Sequence, residues 1–399
     1  MSASLVVTAP VKEPKPHCTD IVLLGVGSIG RELLGQLAST KNGISAKLRV
    51  CALVDSDGYV FDAAGLSRKA ILSACAHKKA GNQLKASESG HAANPADAVG
   101  FIAAHLTGRV VLIDATAADT QEILEIGVER GWDVILANKV PIAGEQARVD
   151  RLHEVARESG SEILHEATVG AGLPVIDTLR KLIEAGDKVS AIEGCPSGTL
   201  GFLFGQLGRG HVFSEALRDA IAAGYTEPDP RIDLSGLDVA RKALILARII
   251  GFRGDLDAVR VESLVPEALR DVSLDEFLAR AAELDAYWDE RVESARGRGS
   301  VLRYRARVTR RSVRVGLAEV PVTDPLSLLH GTDNQFSFTT ARYKANPLVI
   351  TGPGAGPAVT AAGVYNDLLR VVAERRARDV ARVERGSIGS IERVRAIVS

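Results

Sequence analysis

Residues 20–30 read DIVLLGVGSIG, an apolar run that ends in the glycine pattern GxGxxG. The run predicts a buried strand, and the RELLGQLAS that follows has the spacing of an amphipathic helix. A second apolar run, LRVCALVD at residues 48–55, ends in an aspartate 25 positions beyond the third glycine. Strand, glycine turn, helix and acid-ended strand in this order are typical of the turn that binds a dinucleotide pyrophosphate.

Each glycine of this turn has a predicted role. Gly25 permits the tight turn, Gly27 lets the backbone approach a pyrophosphate, and Gly30 lets the helix pack closely on the strand. The helix that begins near Ser28 and Ile29 presents free N–H groups and a partial positive charge to the phosphates. A purely structural strand–helix turn is the alternative that the pattern leaves open.

Asp55 bears on the choice of cofactor. It ends its strand where a carboxylate commonly accepts hydrogen bonds from the ribose hydroxyls of adenosine. A carboxylate there favours NAD, because the 2′-phosphate of NADP would meet a like charge. Arg68 is the candidate cation that could offset this charge. The sequence therefore favours NAD and leaves NADP open.

The composition of the 399 residues excludes several function classes. Lys and Arg total 49 against 50 Asp and Glu, so no positive field favours nucleic acid or an anionic membrane, and the predicted partner is a small molecule. No apolar run reaches the roughly 20 residues of a membrane helix, and the first residues lack a secretory pattern. Four dispersed cysteines predict free thiols and a cytoplasmic protein.

The pattern along the chain predicts two domains. Alternating strand and helix patterns over residues 19–160 predict a Rossmann-type α/β dinucleotide-binding domain with a parallel sheet. Residues 58–94 lack a clear period and are predicted to be an insertion with one or two helices. Over residues 161–351, long amphipathic helices alternate with strand patterns, which predicts an α+β domain with a mostly antiparallel sheet. Residues 1–18 are predicted to be a flexible arm, and residues 381–399 a short tail.

The stretch GYTEPDPRIDLSGLDVARKALILARIIG at residues 224–251 carries the candidate catalytic group. Asp238 and Lys242 are four positions apart on a helix predicted to begin near Ser235, so they share one face. The apolar remainder of this helix predicts an enclosed Lys242. Desolvation favours the neutral amine, which can accept an alcohol proton as hydride leaves carbon. Helix capping by Ser235 with an exposed Asp238–Lys242 ion pair is the alternative.

The loop before this helix is predicted to be irregular, because Pro228 and Pro230 disfavour helix. Glu227 and Asp238 could bind the ammonium group of an amino-acid substrate and fix its orientation. A different hypothesis gives Cys195 the role of a thiolate nucleophile toward an aldehyde. A third is a non-catalytic sensor that binds NAD on the same scaffold.

Several blocks of sequence together carry a family resemblance: GVGSIG, ANK, HEATVGAGLP, IEGCPSGTL, GYTEPDPR-DLSGLDVARK and GPGAG-AVTAAGV. In their order and spacing the chain resembles homoserine dehydrogenase, particularly its short monofunctional form from fungi, over nearly everything beyond the arm. The resemblance implies reversible NAD(P)-dependent oxidation of L-homoserine to L-aspartate 4-semialdehyde, a step toward threonine, methionine and isoleucine. It also implies a homodimer formed by the second domain, and a C-terminal helix within residues 352–380 that completes the dinucleotide domain.

The resemblance implies roles for individual residues. Lys242 would donate and accept the proton, with Lys139 of the ANK block beside the reacting oxygen and the nicotinamide. The residues expected to hold homoserine are Glu227, Asp238, Asp233, Thr199 and Tyr225. Those expected to line the nicotinamide end are Thr116 and Gly356. The backbone carbonyls expected to bind a structural sodium ion are those of Glu166, Val169, Ala171 and Leu173.

The chain also departs from the family pattern. Residues 58–94 do not resemble the family closely, and Cys195 and Pro196 stand where simpler residues are usual. The short tail predicts that no amino-acid-sensing domain follows the second domain.

Overall fold

The computed structural model describes residues 18–39, 48–375 and 377, which are arranged around two sheets. The predicted arm, apart from Cys18, and the predicted tail lie outside the described residues, as do residues 378–380. Within the described part of the chain, no helix is long and apolar enough to cross a membrane.

The first sheet is mostly parallel. Its strands are β1 (Thr19–Leu24), β2 (Leu48–Asp55), β3 (Gly58–Phe61), β4 (Arg109–Asp114), β5 (Asp133–Leu136) and β6 (Ile163–Leu164), in the order β3-β2-β1-β4-β5-β6. Only β2 and β3 pair antiparallel. The helices of this half are α1 (Ser28–Ser39), α2 (Arg68–Lys79), α3 (Pro95–His105), α4 (Gln121–Glu129), α5 (Val140–Ala143) and α6 (Gln146–Ser159). The middle residues of its central strands are apolar because helices cover both of their faces.

Two boundaries in this half differ from the prediction. Strand β6 pairs in parallel with β5, so the first sheet extends beyond residue 160. Residues 58–94 contain the edge strand β3 in addition to the helix α2. Strand β3 has only four residues, which is too short for a period to stand out in the sequence.

The second sheet is antiparallel except for the pair β8 and β10, which confirms the predicted fold class. Its strands are β7 (Val189–Cys195), β8 (Arg260–Val261), β9 (Ser300–Val308), β10 (Val313–Pro321), β11 (Asp333–Thr340) and β12 (Leu348–Pro353), in the order β12-β11-β7-β9-β10-β8. The helices here are α7 (Ala167–Gly170), α8 (Val175–Glu184), α9 (Gly198–Gly208), α10 (Phe213–Ala222), α11 (Pro230–Leu234), α12 (Leu237–Ile249), α13 (Leu274–Arg280) and α14 (Asp285–Gly297).

A last helix, α15 (residues 357–375), returns to the first sheet. Its buried side chains Ala361, Val364 and Leu368 share an apolar cluster with Ile21 and Leu23 of β1. The helix therefore covers one face of the first sheet, as was expected of the C-terminal helix that completes the dinucleotide-binding domain.

Candidate active site

The turn between β1 and α1 is crowded at Gly25 and Gly30 and open at Gly27, as the glycine pattern predicts. Gly25 has φ +89°, and a Cβ there would lie 2.9 Å from the carbonyl carbon of Ala115. A Cβ on Gly30 would lie 2.1 Å from the carbonyl oxygen of Gly25, so glycine lets the helix approach the strand. Apart from Gly27 itself and its two chain neighbours, no described residue has an atom within 4 Å of the Cβ position of Gly27. This space, beside the first-turn N–H groups of α1, fits a pyrophosphate.

Asp55 lies at the end of β2 as predicted, but beside an unpredicted partner. Its Oδ2 is 3.1 Å from Nζ of Lys78. The backbone N–H groups of Ser56 and Val26 donate to the same carboxylate at 2.8 and 3.4 Å. Arg68 begins α2, ten residues before Lys78 and about 15 Å away along the helix axis. Lys78 therefore takes the position that the sequence argument gave to Arg68.

A buried carboxylate, Asp114 at the end of β4, organises the segment beside the glycine turn. Its Oδ1 accepts hydrogen bonds from the backbone N–H and the hydroxyl of Thr116 at 2.9 and 2.7 Å. Its Oδ2 accepts from the Thr120 hydroxyl at 2.5 Å and from Nδ2 of Asn138 at 3.0 Å. Asn138 directly precedes Lys139, so one carboxylate fixes both the Thr116 turn and the peptide that carries Lys139. Sequence analysis missed Asp114, although it ends a buried strand just as Asp55 does.

The residues expected at the nicotinamide end, Thr116 and Gly356, follow two different strands. Thr116 adjoins the glycine turn, since a Cβ on Gly25 would lie 3.0 Å from its Cγ2. Gly356 has φ +110°, with no described atom within 4 Å of its Cβ position. Its carbonyl accepts hydrogen bonds from the N–H and hydroxyl of Thr360 at 3.0 and 2.8 Å, which fixes the start of α15. Their contact with nicotinamide stays a prediction.

Two lysines from different halves of the molecule meet at Asp238. Nζ of Lys242 lies 2.8 Å from Oδ2 of Asp238, and Nζ of Lys139 lies 3.3 Å from Oδ1. Lys242 also donates to the carbonyl of Pro196 at 2.7 Å. Its side chain is 12% exposed, which confirms the predicted enclosure, whereas that of Asp238 is 47% exposed. The cluster is therefore open to a ligand on the side of Asp238.

The two ammonium groups stabilise the charge of Asp238. Desolvation would raise the pKa of this carboxyl, but the charges of Lys242 and Lys139 outweigh that effect and hold the pKa below its usual range. Lys242 is thus enclosed, as predicted, and is also one member of an ion-paired cluster that includes Lys139. With two cations and one anion, the cluster suits a substrate oxygen that gains negative charge.

Part of the loop before α12 is helical, so the expectation of an irregular loop is wrong at Pro230, whereas residues 224–229, including Pro228, are not helical. Pro230 takes the first position of α11, where the missing N–H has no helical partner to lose. The carboxylate of Asp229 accepts a hydrogen bond from the N–H of Arg231 at 2.9 Å and caps this helix. Helix α12 then starts at Leu237, and its N-cap is Gly236 with φ +74° rather than Ser235.

The remaining substrate-binding candidates form a second group. Asp233 accepts a hydrogen bond from the Thr199 hydroxyl at 2.9 Å and from the backbone N–H of Glu227 at 2.9 Å. The Thr199 hydroxyl also lies 2.5 Å from the carbonyl of Tyr225. Burial raises the pKa of the Asp233 carboxyl. Thr199 and Asp233 therefore brace the loop, while Glu227 and Tyr225 are exposed on it.

Cys195 does not fit the role of a nucleophile. It ends β7 with 3% of its surface exposed, in an apolar cluster with Val320, Leu326 and Leu329. Burial raises the pKa of its thiol to about 12, which disfavours the thiolate that attack on an aldehyde requires. The segment contributes to the site through the next carbonyl, that of Pro196, which accepts from Lys242.

The loop expected to bind sodium folds as α7 followed by a left-handed residue, Ala171. Among the described non-glycine residues, only Ala171 has a positive φ, of 56°. The carboxylate of Glu166 turns to α8, where it accepts from the N–H groups of Ile176 and Asp177 at 2.7 Å each. Burial raises its pKa to about 7. The carbonyl of Ala171 faces α15, since a Cβ on Gly363 would lie 2.1 Å from it.

Comparison with known families accounts for both halves of the chain. The family description "homoserine dehydrogenase, NAD binding domain" matches residues 25–166, and "homoserine dehydrogenase" matches residues 174–369. The first range holds the glycine turn and Lys139, and the second holds Asp238 and Lys242.

Curated relatives carry the same family name. The bifunctional aspartokinase/homoserine dehydrogenase of Haemophilus influenzae is 37% identical over 361 residues, which cover 88% of this chain and 43% of that protein. A chloroplastic bifunctional aspartokinase/homoserine dehydrogenase of Zea mays is 39% identical over 362 residues, covering 88% and 38%. The chain thus spans less than half the length of the curated relatives that it matches.

Solved structures share the fold. A Candida auris protein of unknown function is 33% identical with a TM-score of 0.80, and the match covers 90% of this chain and 99% of that one. A hyperthermophilic archaeal homoserine dehydrogenase in complex with NADPH is 24% identical with a TM-score of 0.69, covering 89% and 98%. Because one family describes both the dinucleotide half and the lysine-bearing half, the chain belongs to the homoserine dehydrogenase family.

Proposed function

We propose that this chain catalyses the reversible NAD(P)-dependent oxidation of L-homoserine to L-aspartate 4-semialdehyde, a reaction of amino-acid biosynthesis. The observation that carries this proposal is the contact of Lys139 and Lys242 with one carboxylate, Asp238, at 3.3 and 2.8 Å. Lys139 comes from the dinucleotide half and Lys242 from the other. Their meeting supports proton transfer beside the half that carries the cofactor turn.

The bound NAD(P) supplies the hydride acceptor in this reaction, held at the turn of residues 25–30. In the oxidation direction Lys242 acts as the neutral amine, so its Nζ takes the hydroxyl proton of homoserine, and in the reverse direction the ammonium form returns that proton. Lys139 stabilises the same oxygen as negative charge develops on it. The carboxylates of Glu227 and Asp238 bind the α-ammonium group, which holds the carbon to be oxidised toward the cofactor side.

The first test is absorbance at the reduced-nicotinamide band, with L-homoserine and NAD or NADP supplied in parallel. Homoserine-dependent reduction supports the proposal. Inertness with either cofactor, and with aspartate semialdehyde in reverse, would contradict it. Tight NAD binding without turnover would instead favour the sensor hypothesis.

We propose further that the site prefers NAD and that Lys78 keeps NADP usable. The carboxylate of Asp55 suits the ribose hydroxyls, while the ammonium group of Lys78, 3.1 Å away, can pair with a 2′-phosphate. Lys78→Met should lower kcat/KM for NADP about tenfold and leave that for NAD nearly unchanged. Lys79→Met, at the exposed neighbouring position, is the matched control. Equal losses with both cofactors would refute this role of Lys78.

We also propose that the carbonyls of Glu166, Val169, Ala171 and Leu173 bind a structural sodium ion. The support is the left-handed backbone of Ala171, which costs a non-glycine residue on the order of 1–3 kcal/mol and is typical of functional loops. Sodium bound there should raise the melting temperature by mass action. The check is a melting curve in sodium chloride against choline chloride at equal ionic strength, and equal curves would remove the site.

We propose a homodimer formed through the open face of the second sheet. Tyr304 and Ala306 face the core shared with α9 and α12. On the alternate positions of β9, Arg305 and Arg307 lie 3.3 and 3.5 Å from Glu193, on the face turned away from that core. Light scattering should give twice the 42.2 kDa chain mass, and a monomer would contradict the proposal.

We propose a cytoplasmic location as well, on the basis of the thiols. All four cysteines are free, which suits a reducing compartment. Fractionation of cells that produce the protein tests this, and recovery from a secreted fraction would contradict it.

A further inference from the structure

We propose that Arg248 is a positioning residue that sets the distance between Lys139 and Lys242 across the two halves of the molecule. The inference rests on the proposed dehydrogenase function for its kinetic readout, while its geometry stands independently of that function.

Arg248 links α12, the helix that carries Lys242, to α5, the helix that follows Lys139. It lies on α12, six residues and about 9 Å along the helix axis beyond Lys242. Its Nη1 donates to the carbonyl of Ile142 at 2.8 Å, and its Nη2 to that of Gly144 at 2.7 Å. These carbonyls end α5, the short helix that begins directly after Lys139.

A second pair of contacts completes the link. Nη2 of Arg248 also donates to the carbonyl of Gly254 and to Oδ1 of Asp255, at 3.1 Å each. The same oxygen of Asp255 accepts from the N–H of Gln146, the first residue of α6, at 2.6 Å. The side chain of Arg248 is only 8% exposed. Because a guanidinium presents its donors in a fixed plane, it restricts both sliding and rotation of α5 against α12.

The lysine cluster itself cannot hold the two halves in register as firmly. Within the cluster only the ion pair between Lys139 and Asp238 joins the two halves, with side chains 30% and 47% exposed, and partly exposed ion pairs contribute little to stability. Hydrogen bonds from a buried cation contribute more. Lys139 thus lies between two firm anchors. Asn138 on one side is held by Asp114, and the end of α5 on the other is held by Arg248.

Two substitutions test the role of Arg248. Arg248→Met removes the donors and keeps an apolar stem, and Arg248→Lys keeps the charge without the planar fork. Both should lower kcat for homoserine oxidation about 10- to 100-fold, since a misplacement of about 1 Å costs up to about 100-fold. The affinity for NADH, measured by fluorescence, should stay within about twofold. Arg253→Met is the matched control, because exposed Arg253 bridges the same junction through a 2.8 Å ion pair with Asp150 and should keep wild-type kcat.

A kinetic isotope effect separates positioning from partial unfolding. With homoserine deuterated at the carbon that is oxidised, the effect on kcat should rise in the Arg248 variants, because hydride transfer becomes slower relative to product release. A smaller active fraction would lower the rate at an unchanged isotope effect. Full kcat in Arg248→Met, or a loss that vanishes when rates are normalised to titrated NADH sites, would overturn the role.

A wild-type protein without homoserine turnover would refute the proposed function and not the role of Arg248. In that case hydrogen exchange of the amides in residues 140–146 decides. Faster exchange in Arg248→Met than in Arg253→Met supports the link, and equal exchange in the two variants overturns it.

Discussion

The glycine turn at residues 25–30 and the lysine cluster at Asp238 hold their functional groups by opposite means. The turn is one continuous stretch, and its geometry depends on missing side chains, since Gly30 leaves no room for a Cβ. The lysine cluster joins Lys139 and Lys242, 103 positions apart, through the donors and charges of side chains. The turn should therefore respond to added volume, and the lysine cluster to the loss of individual polar groups.

The largest expected effect separates the two regions. Lys242→Met removes the proton-transferring group, so kcat should fall about 10²- to 10⁴-fold, while NADH affinity stays unchanged because the turn is intact. Initial rates of homoserine oxidation and fluorescence titration with NADH measure the two quantities. Lys188→Met, at an exposed lysine of the second half, is the control. Near-normal turnover would remove Lys242 from its role.

The next effect tests the turn by volume. A Cβ on Gly30 would lie 2.1 Å from the carbonyl of Gly25, so Gly30→Ala should destabilise the protein by about 1–3 kcal/mol and weaken NADH binding. Gly35 lies on the same helix, with no described atom within 4 Å of its Cβ position. Gly35→Ala should instead stabilise by about 0.5–1 kcal/mol, because alanine favours helix. Urea unfolding checks both variants, and effects of the same sign would contradict this account.

Local sequence patterns predicted most of the fold. The contacts that they did not predict depend on how elements distant in sequence pack against each other. The order of strands and helices and the roles of Gly25 and Gly30 follow from short contiguous stretches, so the sequence contains them. The Asp55–Lys78 ion pair does not follow from a local pattern. It depends on how α2 lies against β2, beyond the short edge strand β3.

In the candidate site, too, local sequence patterns predicted some contacts, and the others depend on the packing of distant elements. The spacing of Asp238 and Lys242 predicted their shared face, and the apolar helix predicted the enclosure of Lys242. The arrival of Lys139 at the same carboxylate depends on the packing of α5 against α12, and no spacing encodes that. Only the family resemblance pointed to Lys139. Arg248, which holds the two helices together, reads in sequence as one more polar residue of an amphipathic helix.

The smallest expected effect tests whether the glycine turn and the lysine cluster are independent of each other. Asp114 contacts Thr116 beside the turn and Asn138 beside Lys139. Asp114→Asn keeps the volume of the side chain but replaces one carboxylate oxygen, an acceptor, with an amide NH₂ group, a donor. This buried NH₂ group then faces the hydrogen-bond donors of the neighbouring side chains and has no acceptor. We expect kcat to fall, and KM for NAD to rise, about threefold to tenfold together.

The control for this change is Asp133→Asn, at another buried carboxylate. Asp133 lies at the opposite end of the sheet, where it begins β5 and pairs with Arg375 at 2.6 Å. Its loss should lower the urea midpoint without changing kcat or KM. If Asp114→Asn shifts kcat alone, the turn is a separate unit and the network serves only Lys139. If kcat and KM for NAD shift together, a single buried carboxylate couples cofactor binding to proton transfer. The glycine turn and the lysine cluster are then not independent, because Asp114 connects them.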